Sequence, residues 1–502
     1  MPSAAYRELE RRFARMSGID NALGILHWDQ ETQMPEGATE TRGDALATLQ
    51  VLHHELLTDP RVGELLDGAE AAGGLDAWQQ ANLREMRRGY LHATAVPADL
   101  VEASAKATTA CEVAWRAARR DNDFAGLKPR LALVLSLTRQ VGEAKSAALG
   151  LDLYDALLDG FEPGGRAAEI DAVFAELAAF LPAFTAEVLE RQASRPAPLP
   201  LAGPFPVEMQ RRLGLDLMRA AGFDFERGRL DVSAHPFCGG ADNDVRITTR
   251  YDETDFTKAL MGVMHETGHA LYEQGRPAAW MHQPVGSSRG MAMHESQSLA
   301  LEMQACRSAE FLAYAAPLMR AAFADHADTG GPAWTADNLH RLYTRVERGL
   351  IRVDADEVTY PAHVILRYRL ERAMLNGDLA LDDLPGAWAD AMADLVGVVP
   401  PDDRRGCLQD IHWPGGAWAY FPTYTLGAMI AAQLFDAACK AEPDLLPGLT
   451  RGDFAPFVGW LRRHVHSQGS ARTTTELLTA ATGRPLDAGV FKAHLRRRYL
   501  DA

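Results

Sequence analysis

The chain has 502 residues, with 51 Lys+Arg against 68 Asp+Glu and a formal charge of −17; 47% of it is hydrophobic and 24% charged. Those proportions are ordinary for a folded globular protein and exclude a disordered one. The acidic balance argues against a nucleic-acid partner, which calls for a basic surface. The apolar runs, such as Leu131–Leu135, fall far short of the ~20 residues that span a bilayer, so no membrane partner is expected.

A helical beat begins at once. Tyr6, Leu9, Phe13 and Met16 step by three and four, which places them on one helix face. The same opening, MPSAAYRELERRFARM, carries charges where a secretory signal would carry its apolar stretch. WDQET, Trp28–Thr32, has no defensible metal spacing and is expected to pack. From Ile170 to Val188 the helical pattern returns through Phe174, Leu177, Phe180, Leu181 and Phe184. ASRPAPLPLAGPFP, residues 193–206, must be an extended connector, because its prolines remove donors and block helix. Two organisations follow. One is a single catalytic domain over residues 1–502. The other divides it into an N-terminal helical half (residues 1–192), the connector, and a second half (residues 207–502) carrying the chemistry. The clearest strand is Asp244–Tyr251, where Val245 and Ile247 alternate with polar neighbours. Five scattered cysteines without a CxxC read as free thiols in a reducing compartment, hence a cytoplasmic protein. KAHLRRRYL near the end reads as a solvated basic helix face.

The most informative segment is Thr257–Pro277, which contains HETGH. His265 and His269, four residues apart, lie one turn apart on one helix face, close enough for both imidazoles to grip one ion. Glu266 can reach a water on the ion's open side as general base. A catalytic zinc takes a third protein ligand. Glu295, 26 residues after His269 in MAMHESQSLALEMQAC, leaves enough chain to set a second helix against the first. His294 competes, but on a helix it points about 100° away from Glu295. Glu302 has two readings, a partner to a ligand imidazole or a surface charge.

Beyond these residues the chain resembles the carboxypeptidase Taq family of metallocarboxypeptidases. The ordered blocks that carry the resemblance are LHWDQETQMPEGA from Leu26, HPF from His235, DVRIT from Asp244, HETGH, HESQ from His294, IRVDADEVTY from Ile351 and GCLQDIHW from Gly406. The resemblance implies a mostly α, two-lobed helical body with a deep groove and a small β-sheet beside the metal helix. It also implies a homodimer, peptide substrates with a free C-terminus, and Zn2+ with Co2+ as a substitute. It gives His265, His269 and Glu295 as ligands and Glu266 as base, in agreement with the spacing argument.

Amide hydrolysis builds negative charge on the carbonyl oxygen, which positioned donors must meet. In HWPGGAWAYFPTYTLG the spacing of His412 and Tyr420-Phe421 resembles the oxyanion pair of helical dipeptidyl carboxypeptidases, with Tyr424 as the alternative donor. Recognition of a free α-carboxylate calls for a guanidinium. Arg352, where the family pattern keeps an arginine, is first choice, and Arg246 is second or else a strand anchor. Asp354 and Asp356 either hold Arg352 or cap the next helix. His235 either lines the groove or is structural. The predicted reaction is direct attack by water, with Glu266 taking its proton and passing it to the departing amine. The rival readings are a zinc oligopeptidase or dipeptidyl carboxypeptidase with the same metal site, and a non-catalytic helical zinc-binding protein.

Overall fold

The computed structural model describes residues 2–501. In chain order the helices of the first half are α1 (Ala4–Thr32), α2 (Thr39–Thr58), α3 (Pro60–Ala72), α4 (Ala77–Ala95), α5 (Ala98–Asp121), α6 (Phe124–Leu149), α7 (Leu153–Leu158), α8 (Ala167–Ala193) and α9 (Val207–Ala221). Strands β1 (Gly228–Val232), β2 (Cys238–Ala241) and β3 (Asp244–Thr249) follow. Then come α10 (Phe256–Gln274), α11 (Met291–Leu299) with a π-helical continuation over Ala300–Cys306, α12 (Ala309–Phe323), α13 (Ala336–Tyr343), α14 (Tyr360–Asn376) and α15 (Leu384–Leu395). The chain closes with α16 (Pro422–Ala441), α17 (Leu445–Leu449), α18 (Ala455–His464), α19 (Thr474–Thr482) and α20 (Ala488–Tyr499).

The sheet has order β1-β3-β2, with β1 parallel and β2 antiparallel to β3. Alternation on β3 does what the sequence requires. Val245 and Ile247 point inward and join Leu230 against Val263 and Ala270 of α10, so the sheet backs the helix that carries HETGH. The face of α1 legible in the sequence packs with Val62, Leu66, Leu83 and Met86 of α3 and α4. Further along α1, Gly24 sits against the backbone of β2. A Cβ there would fall 2.0 Å from the Gly240 carbonyl oxygen. Trp28, the first residue of WDQET, lies under the guanidinium of Arg246, 4.2 Å from ring centroid to Cζ, and so packs α1 on the sheet.

The main core runs continuously from α5 to α20 and includes Phe174 and Leu177 of α8 as well as Leu213 and Leu217 of α9, on either side of the connector. That connector is extended, as its prolines dictate, and is pinned along its length. Asn338 bonds both the N–H and the carbonyl of Leu199, at 2.7 and 2.9 Å, and Phe205 inserts among Phe256, Phe323 and Trp334. By length and composition alone α8 is apolar enough to cross a membrane. Ile170, Phe174, Leu177, Leu181, Phe184 and Val188 are instead spent on the core.

The basic C-terminal run differs from its reading as a solvated face. Arg496 is exposed, but His494, Arg498 and Tyr499 converge on the buried carboxylate of Glu357 at 2.8, 2.8 and 3.0 Å. Arg498 also donates to the carbonyls of Met303 and Gln304 in the π-helical segment. The charges turn inward because that segment and Glu357 present buried acceptors that need donors. A cleft of about 460 Å³ separates α1, α2 and α4 from the Met281–Met291 loop and reaches His294.

Three histidines are held in neutral form, His363 and His466 buried and His412 partly buried. His363, His412 and His466 each use Nε2, toward Gly349 O, Tyr424 OH and Gln297 Oε1 at 3.1, 3.1 and 3.0 Å, while each Nδ1 has no hydrogen-bond partner. Burial, reinforced by neighbouring arginines, holds them down at about 3, 4 and 3. Their native values lie below 6.5, so the unfolded chain takes up their protons first. Stability is therefore full above pH 6.5 and falls as the pH drops from there toward 4. Near pH 5 the expected slope is roughly 4 kcal/mol per pH unit for the three together. Urea midpoints at pH 7 and 5 check this, and equal midpoints would contradict it.

Candidate metal centre and active-site groove

Asp255 caps α10 by accepting from Thr257 N at 2.9 Å, and Leu260, Val263, Met264 and Leu271 bury its apolar side. The opposite face presents His265 and His269, with ring centroids 5.0 Å apart. α11 starts at Gly290 (φ 42°), where the Glu162 carboxylate accepts from Ala292 N at 2.9 Å and leaves no room for a Cβ. It crosses α10 at Gly268, whose Cβ would lie 2.4 Å from Gln297 O. α16 closes from the other side at Gly427, whose Cβ would lie 2.9 Å from Cβ and Cγ of Glu295. Two glycines thus let three helices meet around one carboxylate.

Glu295 Oε2 stands 3.4 Å from His269 Nε2 and 3.8 Å from His265 Nε2, and the three donor atoms lie within 4.8 Å of one another. Both imidazoles are oriented from behind. Glu302 Oε2 is 3.0 Å from His265 Nδ1, which leaves Nε2 free for the pocket. His294 Nδ1 is 2.7 Å from His269 Nδ1, and its Nε2 is 2.9 Å from Glu273, so one set of tautomers passes donors outward from His269 to Glu273. Glu273 is ion-paired with Arg276, and Arg276 with Asp242, which Asn21 of α1 also contacts.

The electrostatics favour a divalent cation. Burial would lower His265, but the carboxylates of Glu295, Glu302 and Glu266 outweigh it and raise it to about 10. His269 is pushed down by burial to about 4. Burial pushes Glu266 up to about 7. Two imidazoles and a carboxylate converge, with a further buried acid beside them. Nitrogen and oxygen donors in that number fit a zinc-like ion with a position left open.

Beside the centre, His412 Nε2 meets Tyr424 OH at 3.1 Å, and the rings of Tyr420 and Tyr424 are 5.2 Å apart at nearly right angles. Burial, with Glu295 adding to it, pushes Tyr424 up to about 12 and raises Tyr420 as well, so both stay protonated donors. Tyr420 follows Ala419, whose φ of +67° turns the chain sharply into α16. Arg352 is buried, its Nε and Nη2 both donating to Asp410 Oδ1 at 3.0 and 2.8 Å, with Tyr424 beneath the guanidinium. Arg367 takes the other oxygen of Asp410 at 2.6 Å. One carboxylate thus serves two guanidiniums, leaving a net positive charge at the groove wall.

The chain matches the model of the carboxypeptidase Taq (M32) metallopeptidases over residues 8–499. The chain belongs to the carboxypeptidase Taq family. It is 41% identical to thermostable carboxypeptidase 1 of Thermus thermophilus, covering 99% of each chain, and 32% identical to carboxypeptidase 1 of Bacillus subtilis, covering 97% of this chain and 96% of that one. Its fold superposes on Trypanosoma cruzi metallocarboxypeptidase 1 with a TM-score of 0.96 at 41% identity, over 99% of both chains. On the carboxypeptidase of Pyrococcus furiosus the TM-score is 0.94 at 33% identity, over the whole of both.

In this carboxypeptidase Taq member the structure brings together His265, Glu266, His269 and Glu295, and gathers His412, Tyr420, Tyr424 and Arg352 beside them. The remaining two have local partners. Arg246 is held by both oxygens of Asp244 and covered by Trp28, as a strand anchor would be. His235 is exposed on the loop before β2, its carbonyl accepting from Ser233. Neither Asp354 nor Asp356 holds Arg352. Asp354 is exposed, and Asp356 accepts from the Val358 and Thr359 amides ahead of α14. Sequence reasoning missed Asp410, although it stands in the GCLQDIHW block and a buried arginine demands an acid. It also missed His294 as the partner of His269. The 100° offset from Glu295 that disqualified it as a ligand is what turns it toward the back of that imidazole.

Gly427→Ala is expected to push Glu295 off its position and weaken metal binding by about tenfold or more, the range seen when a ligand's support is lost. Competition with a chelator measures it; unchanged affinity would show that the close approach is not needed.

Proposed function

We propose that this metallocarboxypeptidase removes single residues from the free C-terminus of peptides, with zinc as its ion and cobalt as an effective substitute. The observation that carries the reading is the convergence of His265, His269 and Glu295 within 4.8 Å beside the buried acid Glu266. A divalent ion held there supplies Lewis acidity, polarising the scissile carbonyl and making water acidic enough to attack near neutral pH. Glu266 accepts the proton of the attacking water and delivers it to the departing amine nitrogen. Tyr420 and Tyr424 keep their phenolic protons and donate to the oxygen on which charge develops. His412, neutral at physiological pH, orients the Tyr424 hydroxyl. Arg352, fixed in direction by Asp410 and placed beside Tyr360 and Tyr424, meets the α-carboxylate of the substrate, which gives the exopeptidase its end requirement. No serine, cysteine or threonine nucleophile is required.

A homodimer in the cytoplasm completes the proposal. The family resemblance supports the first, and five unpaired cysteines support the second.

Glu266→Gln is expected to retain one ion per chain and to lose about 10²–10⁴-fold in kcat. Metal analysis beside a release assay distinguishes this from loss of the ion. A blocked dipeptide with a free C-terminus should be cut and its C-terminal amide spared; rapid cleavage of the amide would favour the oligopeptidase reading. A chelator should abolish release, and zinc or cobalt should restore it.

A further inference from the structure

A second cavity, of about 370 Å³, lies between α5, α6 and the Gly415–Trp418 turn. Gly160 and Phe161 line both it and the cleft that reaches His294, and the Phe161 ring stands edge-on to Tyr420 with centroids 5.1 Å apart. The cavity therefore lies directly behind a wall of the reaction groove.

Its polar equipment is out of balance. Lys145 of α6 reaches into it and ends over Gly160, where a Cβ would lie 3.9 Å from Nζ. Among the described residues its ammonium has no hydrogen bond and no ion pair. The acid that acts on it most, Asp159, already accepts from His92 Nε2 at 2.9 Å and from Gly164 N at 2.8 Å. The hydroxyl of Ser104, on the cavity wall, is also buried without a partner. Burial holds Lys145 below its ordinary range. A half-buried cation that keeps no counter-ion is costly unless an anion arrives to meet it. Most of the rest of the lining is apolar, with Val134, Leu137, Val141 and Leu157 beside Phe161 and Trp418 and only Thr108 and Thr138 adding hydroxyls, which suits the methylene stem of a short acidic side chain.

We infer that this cavity is a specificity pocket for an acidic side chain of the peptide substrate, with Lys145 as the residue that pairs with its carboxylate and Ser104 as a second donor. The inference rests on the peptide-cleavage reading above and adds a substrate preference to it. Phe161 stands between the cavity and Tyr420, so a side chain held in the pocket belongs to a substrate that also passes the Tyr420 wall.

The test uses blocked peptides that differ only by Glu or Gln at the last or the penultimate position. The wild-type enzyme should favour Glu over Gln at one of these positions by about tenfold in kcat/KM, the worth of one charge-assisted hydrogen bond. Lys145→Met should erase that ratio while leaving the Gln peptides and the metal content unchanged and without lowering the melting temperature. Lys145→Arg should retain it. A wild-type ratio near one at both positions, a ratio that survives Lys145→Met, or an equal loss on acidic and neutral peptides would each overturn the inference. Failure of the wild-type enzyme to release any C-terminal residue would instead count against the function itself.

Discussion

The structure depends on a close contact between helices. A carboxylate from α11 can face two imidazoles of α10 only if the backbones approach nearer than side chains normally allow, and Gly268 provides that approach. Gly427 repeats the device on the far side, so that α16, which carries Tyr424, closes on the same carboxylate. Distances of 3.4 and 3.8 Å from Glu295 to the two ring nitrogens are a consequence of missing Cβ atoms as much as of the ligands themselves.

Around that contact, buried charge is arranged so that each ionised group has a defined partner and a defined deficit. At the metal centre the acids exceed the bases, which favours a cation. At the groove wall Asp410 is shared by Arg352 and Arg367, which favours an anion. The two halves of a peptide's reacting end, a carbonyl that gains negative charge and a terminal carboxylate, meet surfaces of the corresponding sign. Low dielectric strengthens both effects and makes removal of either member of a pair expensive. The π-helical continuation of α11 belongs to the same design. It carries Glu302 against His265 and is braced by Arg498 of the last helix, so the C-terminus of the chain supports a metal ligand it never touches.

Much of this was legible because it is local or periodic. The helical steps of α1 and α8, the alternation of β3 and the stop imposed by the prolines of 193–206 act within a few residues, and they appear where the pattern puts them. HETGH is legible for the same reason, since one helical turn fixes the relation of its two imidazoles. Glu295 was reachable by counting chain, Arg352 came with the family resemblance, and His412, Tyr420 and Tyr424 came from the resemblance of their spacing to helical dipeptidyl carboxypeptidases. Side chains whose partners are distant in sequence were read less well. Arg246 had two readings, substrate guanidinium or strand anchor, and it pairs with Asp244 and is covered by Trp28 from the far end of α1. The last helix looked solvated because its anchor, Glu357, lies more than a hundred residues upstream.

The sequence by itself determined the helical character of the chain, the identity of the metal-gripping helix and the type of chemistry it supports, because periodicity and i, i+4 spacing are properties of a short backbone segment. Only the tertiary structure decided that Arg352 and Arg367 share Asp410, that His294 stands behind His269 rather than in the pocket, and that Lys145 faces a cavity without a counter-ion. Each of these is a matter of which charges share a desolvated volume, and that volume exists only once distant helices have packed.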